Sequence, residues 1–163
     1  MKAALREIHS MKPDRIENGP PKLLAGLRRK HMTTTAVSSV TEQWRDFLAV
    51  VPVAGRVGTH FYGAMCGGNP SGFEYLSGVE VDSFDRLPEG MGRMRVPAQQ
   101  YAVFRHPTGQ SLETTWRGIL SWLSGGTYES AHLPDFERYD VAPGSGANEP
   151  NVEVWVGVVE RRS

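Results

Sequence analysis

The chain has 163 residues, of which 39% are hydrophobic and 22% are charged, a composition that excludes wholesale disorder and favours one compact domain. Lysine plus arginine equals aspartate plus glutamate at 18 each, so the charge gives no indication of a polyanionic partner such as nucleic acid. No stretch approaches the ~20 apolar residues of a membrane span.

The first half is predicted to contain a strand, a helix and two further strands. Residues 1–12 carry a weak helical pattern and are interpreted as a loosely ordered leader to a single domain over 13–163. The first strand, Leu23–Leu27, follows a Gly-Pro-Pro turn. A capping box of Ser39 and Glu42 predicts a helix start, because each side chain can bond a backbone amide of the first turn. The two strands that follow the helix are predicted over 60–65 and 73–81.

The second half, about 90–160, repeats the order of the first, about 13–85. A strand over 101–105 is followed by a helix that Ser111 is predicted to cap. Two strands, over 136–141 and 152–160, complete the half.

Two sequence patterns recur in register with this order. They are Val40-x-x-x-Trp44 with Leu112-x-x-x-Trp116, and Glu74-x-x-x-Gly78 with Glu153-x-x-x-Gly157. Such a repeat predicts an internal duplication. The predicted fold class is therefore α+β: duplicated β-α-β-β halves related by a pseudo-twofold axis, with antiparallel sheets and helices on one face. We expect a central ligand cleft between the two bare sheet faces.

Alternation along the last two strands selects the candidate site residues. Glu153 and Trp155 share one face of the last strand, and Glu137 and Tyr139 share one face of the strand before it. If these strands pair as a hairpin, two acids and two aromatic rings could line one groove. A carboxylate among aromatic rings favours an organic cation, since charge attraction and cation–π contacts act together.

The first half is expected to contribute further residues to this site. Glu74 is the counterpart of Glu153, and three aromatic residues accompany it: Phe61, Tyr62 and Tyr75. Trp44 and Trp116 occupy matching helix positions, for which core packing is the preferred interpretation, whereas Trp122 is left open between packing and ligand contact. Cys66, the single cysteine, is interpreted as a buried thiol.

These segments together resemble a known family. They are Phe136-Glu137-Arg138-Tyr139, Val152-Glu153-Val154-Trp155-Val156, Val96-Pro97-Ala98-Gln99-Gln100-Tyr101, and Phe73-Glu74-Tyr75-Leu76-Ser77-Gly78. In their order and spacing the chain resembles the GyrI-like, AraC-type effector-binding domains over about 13–159. Gly157 and Val158 depart from the family pattern, which often has proline there.

The resemblance implies a stand-alone domain that binds a drug or metabolite, a small organic cation or aromatic ligand, with Glu137 as the central carboxylate of the cleft. It leaves open a hydrolase of a reactive electrophile in which Glu137 and Tyr139 act as base and water-positioning residue. It leaves open, less favourably, a gyrase-inhibitor-like protein interaction. Only about a dozen residues precede the predicted domain, so direct nucleic-acid binding is not expected.

The sequence also lacks the motifs of several kinds of catalytic site and of secreted or membrane proteins. Its five histidines lack zinc-site spacing, and its glycines form no phosphate-binding loop, so we predict no metal and no cofactor. A lone cysteine and the lack of a secretory signal predict a cytoplasmic protein without membrane contact. A homodimer is left open.

Overall fold

The computed structural model describes residues 11–50, 52–144 and 151–162. Two helices and nine strands lie within these residues. The helices are α1 (Ala36–Leu48) and α2 (Leu112–Gly125). The strands are β1 (Arg15–Gly19), β2 (Lys22–Met32), β3 (Phe61–Asn69), β4 (Gly72–Val81), β5 (Gly92–Val96), β6 (Gln99–Arg105), β7 (Tyr128–Ser130), β8 (Asp135–Tyr139) and β9 (Glu153–Glu160). The α+β class predicted from the sequence is confirmed.

The strands form one antiparallel sheet in the order β1-β6-β9-β8-β3-β4-β2-β5, with β7 paired to β9 outside this path. The order β2-β4-β3 of the first half is repeated as β6-β9-β8 in the second, and β3 pairs with β8 at the centre. The strand before each half, β1 or β5, lies beside the other half. This order has the symmetry that a duplication would produce, while the duplication itself stays a prediction.

The two helices begin differently. Ser111 caps α2 as predicted, since its hydroxyl accepts from the Thr114 amide at 3.1 Å. The predicted capping box of α1 is wrong, because the helix begins after Thr35 and already contains Ser39 in its first turn. Ser39 donates its hydroxyl proton to Thr35 O at 3.1 Å instead.

Both helices pack on the same face of the sheet but at different ends. Trp44 and Phe47 of α1 pack in a cluster with strands of the first half, and Ile119 of α2 packs with Phe104 and Val156 of the second. The central strands β3 and β8 lie between the strands on which the two helices mainly pack. Tyr139 of β8 and the partly buried Phe61 and Met65 of β3 join the cluster around α1. Neither helix of the described ranges is long and apolar enough to cross a membrane.

The opposite face of the sheet carries its own buried cluster. Its residues come from seven strands: Leu24, Tyr62, Ala64, Leu76, Met94, Val96, Tyr101, Val103, Phe136 and Trp155. Aromatic rings form its centre, since Phe136 and Trp155 are stacked with centroids 5.5 Å apart and Tyr101 contacts both edge-on. Among the described residues, the centre of this face is therefore a packed second core, where the sequence had predicted an open groove.

Of the predicted leader, residues 1–10 lie outside the described part of the chain. Met11 donates its backbone N–H to Gly118 O of α2 at 3.3 Å and packs against the cluster around that helix. The predicted strands overlap β2, β3, β4, β6, β8 and β9, whereas β1, β5 and β7 were not predicted.

Candidate ligand-binding site between the helices

A cavity of about 780 Å³ opens over the central strands, between α1 and α2. Strand residues Met65, Phe73, Tyr75, Glu137 and Tyr139 line it from below, and both helices supply its walls. The expectation of a cleft between bare sheet faces is thus wrong, and the hollow lies on the helix-bearing face. It exists because each helix packs mainly on its own half and leaves part of the middle uncovered.

Glu137 is the buried acid of this cavity, with 5% of its surface exposed. Its Oε1 accepts hydrogen bonds from the hydroxyls of Tyr139 at 2.6 Å and Tyr75 at 3.0 Å. Its Oε2 accepts from the indole Nε1 of Trp116 at 2.8 Å. Three aromatic side chains therefore hold one carboxyl group, and each does so through its polar end.

Trp44 extends this network into α1. Its Nε1 donates to the Tyr75 hydroxyl at 2.9 Å, and its ring contacts Tyr139 edge-on with centroids 5.7 Å apart. Burial and the nearby charge of Glu137 raise the pKa of Tyr75 well above its ordinary value. Tyr75 consequently stays protonated and remains a hydrogen-bond donor to the acid.

Gly63 makes room for the network. It lies opposite Glu137 in the β3–β8 pairing. A Cβ at this position would overlap the Tyr75 hydroxyl and lie 2.9 Å from Glu137 Oε1. Only glycine leaves the space in which the tyrosine reaches the acid, a role that sequence reasoning missed.

The outer part of the cavity is apolar and partly open. Val37 of α1 and Leu120 of α2 line it although 70% and 60% of their surfaces are exposed. Glu113 and Arg117, also on the lining, form an ion pair at 3.6 Å. Among the described residues, the charged side chains on the lining are thus two acids and one base, and the base already faces one of the acids.

Three of the predicted site residues meet in this cavity: Glu137, Tyr139 and Tyr75. Phe61 lies on the same face, since it pairs with Tyr139 across β3 and β8, but it does not line the cavity. Its ring instead packs under the guanidinium of Arg56 at 4.5 Å.

Glu153 and Trp155 do not share a groove with Glu137, and this expectation is wrong. Glu137 pairs with Val154, whereas Glu153 and Trp155 are the neighbours of Val154 and point to the other face. The shift of one residue follows from the β8–β9 register, which the sequence does not determine.

Glu153 and Trp155, on the other face of the sheet, already interact with two arginine side chains of the protein. Arg15 and Arg138 both bond Glu153 and lie over the Trp155 ring at 5.3 and 5.0 Å. Burial alone would raise the pKa of Glu153, but the hydrogen bond from Arg15 and the charge of Arg138 lower it below its ordinary value. On this face, the acid and the ring therefore interact with two guanidinium groups of the protein itself.

Glu74 and Tyr62 also lie on the face away from the cavity. Glu74 forms an ion pair with Arg28 at 3.2 Å. Tyr62 packs in the second core beneath Lys22, whose Nζ is 5.9 Å from the ring centroid, and burial raises its pKa to about 12. The expectation that these two side chains contribute to the cleft is wrong.

Two of the tryptophans have a role that was not predicted. Trp44 is a buried core residue as predicted, and Trp116 packs partly buried against the cluster around α2. Both also line the cavity and donate to its polar network, which the sequence did not indicate. Trp122 packs against Phe104 and Tyr128, with ring centroids 5.3 and 5.8 Å apart.

Cys66 is half-buried, and burial is the main cause that raises the pKa of its thiol. No group of three or more metal-ligating side chains lies together within the described ranges.

Comparison with known proteins gives this cavity a family context. The family described as Cass2, integron-associated effector binding protein, matches residues 15–158. The chain belongs to this family. The resemblance to effector-binding domains inferred from the sequence is thereby confirmed.

One relative is a regulator. The chain is 30% identical over 141 residues to the transcriptional regulator BrlR of Pseudomonas aeruginosa, an alignment that covers 83% of this chain and 50% of BrlR. The chain therefore spans about half the length of that relative.

Two solved structures share the fold of this effector-binding domain. SAV2435, whose structure was determined bound to tetraphenylphosphonium, superposes with a TM-score of 0.71 at 10% identity, covering 89% of this chain and 93% of SAV2435. The integron cassette protein VCH_CASS2 of Vibrio cholerae superposes with a TM-score of 0.65 at 16% identity, covering 89% of this chain and 95% of that protein.

Proposed function

We propose that this effector-binding domain binds an organic cation carrying aromatic or other apolar groups, with Glu137 facing the positive charge. The single observation that carries the proposal is the buried Glu137 carboxyl at the base of an apolar cavity. Trp116, Tyr75 and Tyr139 donate to it, and such bonds stabilise its ionised form. A guest cation placed nearby would meet both that charge and the surrounding rings.

The size and lining of the cavity fit a guest of this class. Its volume of about 780 Å³ lies within the range of small-molecule sites. Aromatic faces attract a cation by about 0.5–2 kcal/mol each, depending on desolvation. SAV2435, which shares the fold, was solved with tetraphenylphosphonium, a cation with four aromatic rings. That compound is therefore a rational first probe for this chain.

Titration with tetraphenylphosphonium, followed by isothermal calorimetry, tests the proposal. Glu137→Gln keeps the shape of the side chain and removes its charge, so we expect the affinity to fall at least about tenfold, a loss of about 1.4 kcal/mol. Glu153→Gln is the matched control, because Glu153 lies on the other face of the sheet. The affinity of the Glu153→Gln variant for tetraphenylphosphonium should remain within about twofold of that of the parent protein.

A neutral guest separates charge recognition from simple apolar binding. Triphenylphosphine oxide has similar rings and no net charge, so we expect it to bind much more weakly than the phosphonium. Equal affinity for the two compounds, or no effect of Glu137→Gln, would contradict the proposed function.

We further propose that the chain acts by binding an effector in the cytoplasm, with no nucleic-acid contact of its own. Its equal numbers of acidic and basic residues and its single thiol support this setting. A gel-shift assay at low salt with unrelated duplexes tests it, and saturable retention of DNA by this chain would contradict it.

A further inference from the structure

We infer that the cavity discriminates among cations by their hydrogen-bonding capacity: it selects cations without N–H donors, such as quaternary ammonium and phosphonium ions, over primary ammonium ions of similar size. The inference rests on the proposed function and specifies its substrate class. It follows from how the acceptor positions of Glu137 are already used.

An ionised carboxylate offers about four acceptor positions, two on each oxygen. Both positions on Oε1 are used by Tyr75 and Tyr139, and one on Oε2 is used by Trp116. At least three of about four positions therefore accept from the protein itself. The acid presents a negative charge but has little remaining capacity to accept a hydrogen bond from a guest.

The neutral hydroxyl groups on the lining are also engaged with the backbone. Thr41 donates to Val37 O at 2.8 Å, and Thr33 donates to Pro70 O at 3.3 Å. Ser111 accepts from the Thr114 amide at 3.1 Å as the cap of α2. All three residues are exposed, so a guest donor that reached one of these hydroxyl groups would lie at the open edge of the cavity, in contact with water.

A primary ammonium carries three N–H donors, each bonded to water before binding. A buried donor left without a partner costs about 1–3 kcal/mol, and more when the group is charged. Displacing a tyrosine hydroxyl from Glu137 does not avoid this cost. Tyr75 is buried and wedged between Trp44 and Glu137, so its proton would lose its partner in turn.

A cation without N–H donors does not lose hydrogen bonds to water when it enters the cavity. Its charge is spread over carbon-bound hydrogens, which make no strong hydrogen bonds to water, and it needs only the electrostatic potential of the acid and contact with the rings. The same saturated network that resists an ammonium therefore leaves a quaternary ion unaffected. Selectivity arises from hydrogen-bond capacity, while charge is equal in the two guests.

The test uses a matched pair of guests, 4-phenylbenzyl-trimethylammonium and 4-phenylbenzylammonium, titrated by calorimetry at neutral pH. We expect the trimethyl compound to bind at least about tenfold more tightly, because the primary ammonium leaves at least one N–H donor without an acceptor in the cavity. The methyl groups of the trimethyl compound also add apolar area, which could by itself raise its affinity. The ratio of the two affinities must therefore be compared between the parent protein and a variant with a changed hydrogen-bond network.

Tyr139→Phe supplies the comparison, because it frees one acceptor position on Glu137 Oε1 and keeps the ring. The preference for the quaternary guest should fall at least about threefold in this variant. Tyr62→Phe, on the other face of the sheet, should leave the ratio unchanged. Should Tyr139→Phe fail to fold by circular dichroism, Trp116→Phe frees a position on Oε2 and gives the same comparison.

The outcomes separate the two proposals. Equal binding of both guests to the parent protein, or a ratio that Tyr139→Phe and Trp116→Phe do not change, overturns the selectivity and leaves cation binding intact. Failure of both guests and of tetraphenylphosphonium to bind overturns the proposed function itself.

Discussion

The indole Nε1 of Trp116 donates a hydrogen bond to Glu137 Oε2 at 2.8 Å, which joins helix α2 to the central strand β8. Trp44, at the matching position of α1, donates instead to the Tyr75 hydroxyl that bonds the same acid. Both helices are thus connected to one carboxyl group through a tryptophan. The walls of the cavity and its charge are parts of one hydrogen-bonded unit.

This arrangement predicts which tryptophans report a bound guest. Of the four tryptophans, Trp44 and Trp116 line the cavity, whereas Trp122 packs beside α2 and Trp155 lies on the other face of the sheet. We expect Trp116→Phe to lose a large part of the fluorescence quenching caused by a bound aromatic cation. Trp155→Phe should keep the quenching of the parent protein.

The measurement is a fluorescence titration at saturating guest, with affinity determined in parallel by calorimetry. The parallel measurement distinguishes loss of signal from loss of binding. If Trp155→Phe abolished the quenching while Trp116→Phe retained it, the guest would be bound on the other face and the proposed site would be wrong.

Gly63 supports a second prediction, because a methyl group there overlaps the Tyr75 hydroxyl and approaches Glu137 Oε1 to 2.9 Å. Gly63→Ala should force Tyr75 away from the acid, lower the free energy of unfolding by about 1–3 kcal/mol and weaken cation binding. Gly125→Ala is the matched control, since nothing lies within 4 Å of its added Cβ. Denaturant unfolding and calorimetry measure the two effects, and an unchanged Gly63→Ala protein would contradict the described packing.

The sequence predicted the elements better than the faces they present. Glu137, Tyr139 and Tyr75 lie together in the cavity, as the pattern of acids and aromatic residues on the strands led us to expect, while their role in ligand binding stays a prediction. Glu153 and Trp155 carried an equally strong pattern, but the β8–β9 register places them on the other face. A shift of one residue reverses the face, and no local feature of the sequence fixes it.

The missed parts have physical reasons too. β1 and β5 are five residues each and rich in charged side chains, so they show little of the apolar alternation by which strands are predicted. Trp116 appeared to be a core residue because apolar spacing on a helix does not distinguish a packed wall from a cavity wall. The cavity depends on where the helices lie across the sheet, which is a property of the tertiary structure.

Asp135 supports a prediction about pH. Burial raises its pKa from 3.8 to about 7, although the bond from the Gly157 amide opposes this change. The folded protein therefore retains a proton that the unfolded chain releases near pH 4. The free energy of unfolding should fall as pH rises from about 4 to about 7, because the folded protein holds this proton more tightly than the unfolded chain does.

Asp135→Asn removes this titration and keeps an oxygen that can accept from Gly157. We expect its free energy of unfolding to be flatter with pH over that range than that of the parent, and higher at neutral pH. Asp85→Asn, at an exposed position, is the control. Denaturant unfolding at several pH values tests the prediction, and a parent and Asp135→Asn variant with parallel pH profiles would exclude Asp135 as the cause.

Gln43 positions the wall of the cavity from beneath and gives the last prediction. Its Nε2 faces three acceptors, Leu27 O, Tyr75 O and Ser77 Oγ, at 2.8, 3.0 and 3.1 Å. Its Oε1 faces His31 Nε2 at 2.6 Å, so that ring nitrogen carries the proton. Gln43 directly precedes Trp44, and the buried amide therefore fixes the part of α1 from which Trp44 reaches Tyr75.

Gln43→Met preserves the length of the side chain and removes all of its hydrogen bonds. Because it leaves buried carbonyl groups and the His31 N–H without this partner, we expect the free energy of unfolding to fall by about 2–4 kcal/mol. Gln110→Met is the control, since Gln110 is only partly buried and gives a single bond, to Thr115 Oγ1 at 2.9 Å. It should cost no more than about 1 kcal/mol. Thermal and denaturant unfolding compare the two variants, and equal losses would show that the buried amide is no more important than a partly exposed one.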